Sequence, residues 1–173
     1  PFCEGETFLA DVGAGTGCVG LSLASENEAT KLFATDVSPE ALTLVRHNAE
    51  ALGLKERVAA LRGDLLQPIP ENRQVDVVVS NPPYIPSIEI EGLQPEVAAF
   101  EPHLALDGGP DGLDCYRRLI PSAAARVQRA LLVEVGAGQA DAVSALFEQA
   151  GFKDVQQHCD LAGIARVVSG VRA

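Results

Sequence analysis

No run of the 173 residues approaches the length of a membrane span. The opening Pro1-Phe2-Cys3-Glu4-Gly5-Glu6 has neither the basic nor the apolar region of a signal peptide, so a cytoplasmic location is the default expectation. Cys-x-x-Cys pairs are missing as well. The four cysteines, Cys3, Cys18, Cys115 and Cys159, lie far apart, which argues against a zinc site or a disulfide framework, and they read as buried thiols. No metal site is expected. Basic residues are few: 13 Lys and Arg against 24 Asp and Glu leave a formal net charge of −11, which repels a phosphate backbone. The arginines Arg117, Arg118, Arg126 and Arg129 are spread along one expected helix as a solvated face instead of forming a basic stripe, so large duplex nucleic acid is a disfavoured partner. Repeats, low-complexity tracts and interdomain linkers are also lacking. A chain that is 47% hydrophobic and 21% charged is one globular domain with enough apolar material for a two-sided core.

Apolar runs alternate with helical periods, the pattern of a mostly parallel α/β sheet covered on both faces. Seven strands are expected: Thr7 to Val12, Lys31 to Asp36, Val58 to Arg62, Val75 to Ser80, Ala130 to Val135, Val155 to Cys159 and Ile164 to Gly170. A helix from Cys18 to Glu26 follows the first strand. Ser38 as N-cap, Pro39 at the first helical position and Glu40 in the first turn announce a second helix ending before Gly53, with Leu42, Val45, Ala49 and Leu52 on one face. Two later helices are expected from Asp114 to Arg129 and from Gln139 to Ala150, the latter closed by Gly151. The short link Asp160-Leu161-Ala162-Gly163 makes the final pair a hairpin, so the last strand runs antiparallel to the others. Between Pro82 and Asp114 a Pro-, Gly- and acid-rich stretch without periodicity, including Asp107-Gly108-Gly109-Pro110-Asp111-Gly112, is of the kind that borders a site.

Chemistry concentrates where strands end. Asn81-Pro82-Pro83-Tyr84 follows the fourth strand, and its two prolines fix φ and remove two donors, holding Asn81 extended beside free carbonyls. A side-chain amide carbonyl next to a backbone carbonyl can accept both hydrogens of an NH2 group and turn its nitrogen lone pair toward an electrophile. Tyr84 can stack on the planar group that carries the nitrogen. The alternative reading is a Pro-Pro turn closing a strand.

Asp11-Val12-Gly13-Ala14-Gly15-Thr16-Gly17 joins the first strand to the first helix, where glycines allow close approach of a ligand to backbone N–H groups. Asp36, at the end of the second strand, is placed to accept from both ribose hydroxyls. A dinucleotide fingerprint wants glycine three positions after Gly15, and that position is Cys18. NAD is therefore less attractive than S-adenosylmethionine, whose cationic amino-acid end Asp11 would favour. Asp11 reads equally well as a carboxylate that caps the helix or orders the loop. Asp64 can take the adenine amino group while Leu65 covers the ring, or be a simple turn aspartate.

Taken with Ala34-Thr35-Asp36-Val37-Ser38, Gly63-Asp64, Ser80 to Pro86, Phe100-Glu101-Pro102 through Leu113-Asp114 and Asp160 to Ile164, these motifs span essentially the whole chain. The sequence resembles the HemK/PrmC family of class I methyltransferases. That resemblance implies a Rossmann-like fold and transfer of a methyl group from S-adenosylmethionine to the side-chain amide nitrogen of a glutamine in a peptide chain release factor, a ribosomal protein being a close variant. Asp11, Gly13, Ala14, Gly15, Thr16, Gly17, Asp36, Asp64, Leu65 and Asn81 would line the cofactor site. Asn81, Pro82, Pro83 and Tyr84 would hold the glutamine amide, with Asn81, Pro82 and Tyr84 as the catalytic groups. His47, His103 and His158 are read as structural. Family members carry a separate N-terminal helical domain that recognises substrate; residues 1–173 are expected to be a single catalytic domain without it, and an aromatic residue is common in the family where Leu65 stands. Two other readings stay open: an N6-adenine methyltransferase acting on nucleic acid, and a truncated domain that binds S-adenosylmethionine without catalysis.

Overall fold

In a computed structural model, which describes residues 5–90, 92 and 103–172, seven strands form one sheet in the order β3-β2-β1-β4-β5-β7-β6. Their bounds are β1 Thr7–Val12, β2 Thr30–Asp36, β3 Val58–Arg62, β4 Val75–Ser80, β5 Val127–Glu134, β6 Lys153–Cys159 and β7 Ala165–Val171. All pairings among β1 to β5 are parallel, whereas β7 runs antiparallel to both β5 and β6, as the short hairpin link requires. The helices are α1 Cys18–Glu26, α2 Pro39–Ala51, α3 Ser87–Ile90, α4 His103–Leu106, α5 Asp114–Ala124 and α6 Ala140–Gln149.

The central strand β4, Val-Asp-Val-Val-Val-Ser, is buried at every position, which is why it reads as a continuous apolar run and not as an alternation. Its Val78 joins a core built with Tyr116, Leu119 and Ile120 of α5 and Val143 and Phe147 of α6, while Val77 and Val79 face Leu21 of α1 and Val45 and Ala49 of α2. The one charge in β4, Asp76, is compensated by the Phe8 N–H at 2.8 Å, the Gln74 amide at 2.6 Å and the Arg129 guanidinium at 3.6 Å.

Two helix ends show how local rules set the layers. Ser38 caps α2 by accepting from Ala41 N–H at 3.1 Å. At its other end Gly53 turns left-handed, with Leu54 N–H donating to Ala49 O and Gly53 N–H to Glu50 O. The same pair of bonds closes α6 around Gly151, from Phe152 N–H to Phe147 O and Gly151 N–H to Glu148 O. Because the chain reverses at Gly53, Leu54 fills the buried place and Leu52 is left 56% exposed, contrary to the expectation that Leu52 shares the core face.

Three further expectations are corrected. The helix beginning at Asp114 ends at Ala124, not Arg129, because residues from Val127 onward pair with β4 and bury Ala130, Leu131 and Val133. The four arginines consequently do not share a helix face. Arg117 binds Asp111 and Asp114, Arg118 binds Asp64, Arg126 donates to the Leu66 and Pro70 carbonyls, and Arg129 lies in β5. Finally, Cys18 and Cys159 are exposed and Cys115 is half-buried, because Cys18 sits on the open first turn of α1 and Cys159 on the edge strand β6. Cys3 lies outside the described residues.

Candidate active site

The sheet order reverses direction between β1 and β4, and in open α/β sheets ligands bind in the crevice outside the carboxyl ends of the strands at such a point. Here the register is explicit. Val12 is the partner of Ser80, and Ser80 Oγ donates to Val12 O at 2.7 Å, so Gly13 and Asn81 leave the sheet side by side. Between them opens a cavity of about 390 Å³ whose walls include Asp11, Gly13 to Thr16, Cys18 and Val19 on one side and Asn81, Pro82, Pro83 and Tyr84 on the other, with Ile85, Ala105 and Leu106 completing the wall. The glycine loop and Asn81-Pro82-Pro83-Tyr84 thus face one space.

Four N–H donors of the glycine loop are bonded within the protein. Gly13 and Ala14 N–H both donate to Thr35 O, Gly17 N–H donates to Ala14 O, and Gly15 N–H donates to Asp36 Oδ2 at 2.9 Å. An anion cradle needs such groups aimed at the ligand. This loop instead presents its flat glycine faces, flanked by the carboxylates Asp11 and Asp36, and so suits a neutral or cationic ligand better than a phosphate.

Asp11 is 2% exposed, and its Oδ2 accepts from Gly20 N–H at 2.9 Å, capping α1 from within β1. The capping reading of Asp11 is therefore realised while the residue also lines the cavity. Burial pushes its carboxyl up to about 6; the Gly20 N–H opposes that rise and nearby Asp36 adds to it. Gly20 has no room for a side chain, since a Cβ there would lie 2.7 Å from Asp11 Oδ2 and 2.9 Å from Leu32 Cδ1. Glycine to alanine inside a helix ordinarily stabilises by up to about 1 kcal/mol; here Gly20→Ala is expected to destabilise by about 1–3 kcal/mol through overpacking. Urea unfolding measures it, and a more stable variant would contradict the packing described.

Asp36 stands at the end of β2 with Oδ1 accepting from Ser38 N–H and Oδ2 from Gly15 N–H, both at 2.9 Å. Each oxygen retains a second acceptor position, so the carboxylate is oriented for a diol. Asp64 is paired with Arg118 of α5, and Leu65, at φ 50°, is fixed by the Thr35 hydroxyl donating to its carbonyl at 2.8 Å. Asp36, Asp64, Leu65 and Gly17 lie outside the cavity wall given above. His47 is on α2 and His158 on β6, where its Nε2 meets Ser169 Oγ at 2.8 Å, whereas Phe100 to Pro102 and the side chain of His103 lie outside the described residues.

Described residues of the stretch between Pro82 and Asp114 close the cavity beside Asn81 to Tyr84. Ile85 N–H donates to Leu106 O at 3.0 Å, Gly108 N–H to Ile85 O at 2.9 Å and Ser87 N–H to Gly109 O at 2.9 Å. Arg117 fastens the loop by hydrogen bonds of 2.6 and 2.8 Å to Asp111, holding that carboxyl down at about 2. Gln139, just before α6, was not singled out in the sequence. Its Nε2 donates to Tyr84 O at 2.8 Å and its Oε1 accepts from Gly136 N–H at 3.0 Å. A lone glutamine at a helix start carries no signal, although the Gly136-Ala137-Gly138 turn before it, directly after a core strand, marks another loop at the same sheet edge.

Against known families, the profile of the methyltransferase small domain matches residues 4–93, half of the chain. The chain belongs to the methyltransferase small domain family. Within it, this methyltransferase domain is 43% identical over 164 residues to the release factor glutamine methyltransferase of Geobacter sulfurreducens and 45% identical over 163 residues to that of Cereibacter sphaeroides. These alignments take in 94% and 93% of this chain but 57% and 58% of the relatives, so the chain spans somewhat more than half of their length. Among solved structures, the human METTL16 catalytic domain in complex with MAT2A 3′UTR hairpin 1 superposes with a TM-score of 0.72 at 16% identity, covering 96% of this chain and 66% of that one. That likeness bears out the Rossmann-like methyltransferase fold expected from the resemblance.

Proposed function

We propose that this methyltransferase domain binds S-adenosylmethionine in the β1–β4 crevice and transfers its methyl group to the side-chain amide nitrogen of a glutamine in a peptide chain release factor. The observation that carries the reading is the Val12–Ser80 register, which sets the glycine loop and Asn81-Pro82-Pro83-Tyr84 across one cavity. The residues fit the cofactor on their own chemistry. The loop's inward-turned N–H groups and the flanking carboxylates of Asp11 and Asp36 favour a cationic amino acid joined to a ribose over a diphosphate. Asp64 and Leu65 are the candidates for the adenine end. When bound, the cofactor supplies a methyl group on a sulfonium.

The chain's own contribution is positioning. An amide nitrogen is a weak nucleophile because its lone pair is delocalised, so orientation and the removal of solvent disorder carry much of the catalysis. Asn81 Oδ1 and the Pro82 carbonyl accept the two N–H bonds of the glutamine amide and favour the charge that develops on nitrogen. Pro83 keeps the peptide extended, and Tyr84 packs on the amide plane. Glutamine is favoured over a nucleic-acid base by the net charge of −11 and by the release factor glutamine methyltransferases that align over nearly the whole chain.

Transfer of labelled methyl from S-adenosylmethionine to unmethylated release factor, compared with RNA and DNA, tests the reading. Label in the protein is the expected result, and label in adenine would replace it with the nucleic-acid reading.

The proposal also sets a pH dependence. Below about pH 6 Asp11 takes up a proton in the free protein, whereas a bound cation favours the carboxylate. Binding must then expel that proton, so affinity falls with decreasing pH, by at most about tenfold per unit. Calorimetric titration between pH 5 and 8, values about which Asp11 changes charge, is expected to show this decline. Asp11→Asn should flatten it, and an unchanged slope would remove Asp11 from the cationic subsite.

A further inference from the structure

Tyr84 is the end of the acceptor peptide and the point where it would be free to rotate. Its carbonyl is instead held by Gln139 Nε2 at 2.8 Å, and the same amide donates at 3.5 Å to Gly112 O while its Oε1 accepts from Gly136 N–H. One side chain thus ties together the acceptor peptide, the 107–113 loop and the β5–α6 turn. The surroundings are shaped for the contact. A Cβ at Gly112 would lie 2.3 Å from Tyr84 O and 2.5 Å from Gln139 Nε2, one at Gly108 would lie 2.8 Å from Tyr84 Cα, and one at Gly136 would lie 2.8 Å from Gln139 Oε1 and 3.0 Å from Tyr84 Cδ2. Three glycines from two loops therefore close on the Tyr84 backbone and ring. At the other end the peptide is anchored by the Ser80 hydroxyl on Val12 O.

We infer that Gln139 is a positioning residue, whose amide fixes the Tyr84 carbonyl and thereby sets the angle at which Asn81 Oδ1 and the Pro82 carbonyl, earlier in the same peptide, meet the acceptor nitrogen. The inference rests on the proposed transfer to an amide and adds to it a residue that never touches the acceptor. Misplacing the accepting carbonyls by about an ångström lowers the rate on the order of 10²-fold without weakening cofactor binding. Gln139→Glu discriminates well, because it keeps an oxygen for Gly136 N–H and replaces the donor to Tyr84 O by a second acceptor. Gln139→Met keeps the length and removes both bonds.

The test has two readouts. Amide hydrogen exchange is followed at Ile85 and Gly108, whose N–H groups lock the peptide to the loop, with Val77 to Val79 of β4 as internal reference. Both variants are expected to lose on the order of tenfold protection at Ile85 and Gly108 and none in β4. Single-turnover methyl transfer at saturating cofactor is expected to fall on the order of 10²-fold with the cofactor Kd within about twofold. Unchanged protection at Ile85 and Gly108 would overturn the inference whatever the acceptor is. A parallel fall in exchange protection throughout β4 would also overturn it, by showing a merely structural role. Label found by the unsubstituted chain in adenine instead of glutamine would overturn the functional reading and leave the exchange result on Gln139 standing.

Discussion

Asn81→Ala is expected to lower methyl transfer by about 10²–10³-fold, the loss that follows removal of one preorganised group aimed at developing charge. The side chain is exposed at the cavity mouth, away from the buried layers, so global stability should change by less than about 0.5 kcal/mol. Cofactor affinity should stay within about threefold, because an interaction made in the transition state contributes to kcat and not to ground-state binding. Single-turnover kinetics with an independent binding titration separate the two. Unchanged turnover, or a loss that is entirely one of cofactor affinity, would remove Asn81 from the acceptor role.

Gly112→Ala is expected to damage both fold and function. A Cβ at this position would lie 2.3 Å from the Tyr84 carbonyl, and the backbone has φ +75°, a region unfavourable to side chains. The obstacle is backbone that is itself pinned to Gln139, so the clash is relieved only by moving the acceptor peptide. A loss of about 2–4 kcal/mol in unfolding free energy is expected, with a fall in transfer on the order of 10²-fold in the fraction that remains folded. Gly138→Ala supplies the control. It has φ +83° and nothing within 4 Å of the added Cβ, so it carries the conformational strain alone, roughly 1–2 kcal/mol, without the loss of rate. Equal effects on rate at the two positions would show that closeness to Tyr84 is not what matters.

Much of this arrangement was legible in the sequence, for identifiable reasons. Strands such as β4 are buried on both faces and rich in valine, and α2 carries its N-cap, its first-turn proline and its terminal glycine in the residues themselves. The glycine loop, Asp36 and Asn81-Pro82-Pro83-Tyr84 all follow directly from strands, so the parallel sheet brings them to one edge. Strand order is not local information. The reversal between β1 and β4 that makes this edge a crevice depends on crossovers linking distant residues. The end of α5 is not marked in the sequence, because Ser122-Ala123-Ala124-Ala125-Arg126 is rich in alanine and holds no helix breaker, while pairing of Val127 with Val75 decides where the strand begins. Gln139 carries no signal in the sequence because its partner Tyr84 lies 55 residues away and only the fold makes them neighbours. Likewise, that the loop's N–H groups turn inward toward Thr35 and Asp36 is a consequence of the β1–β2 pairing and cannot be read from Gly-x-Gly-x-Gly.

The most direct test of the account identifies the methylated atom. The chain is incubated with S-adenosylmethionine carrying a labelled methyl group and an unmethylated release factor, and the modified peptide is fragmented and then hydrolysed. The account predicts label on a single glutamine, released on hydrolysis as methylamine, and its loss with Asn81→Ala. Label on a carboxylate, a lysine or an added nucleic acid would contradict it.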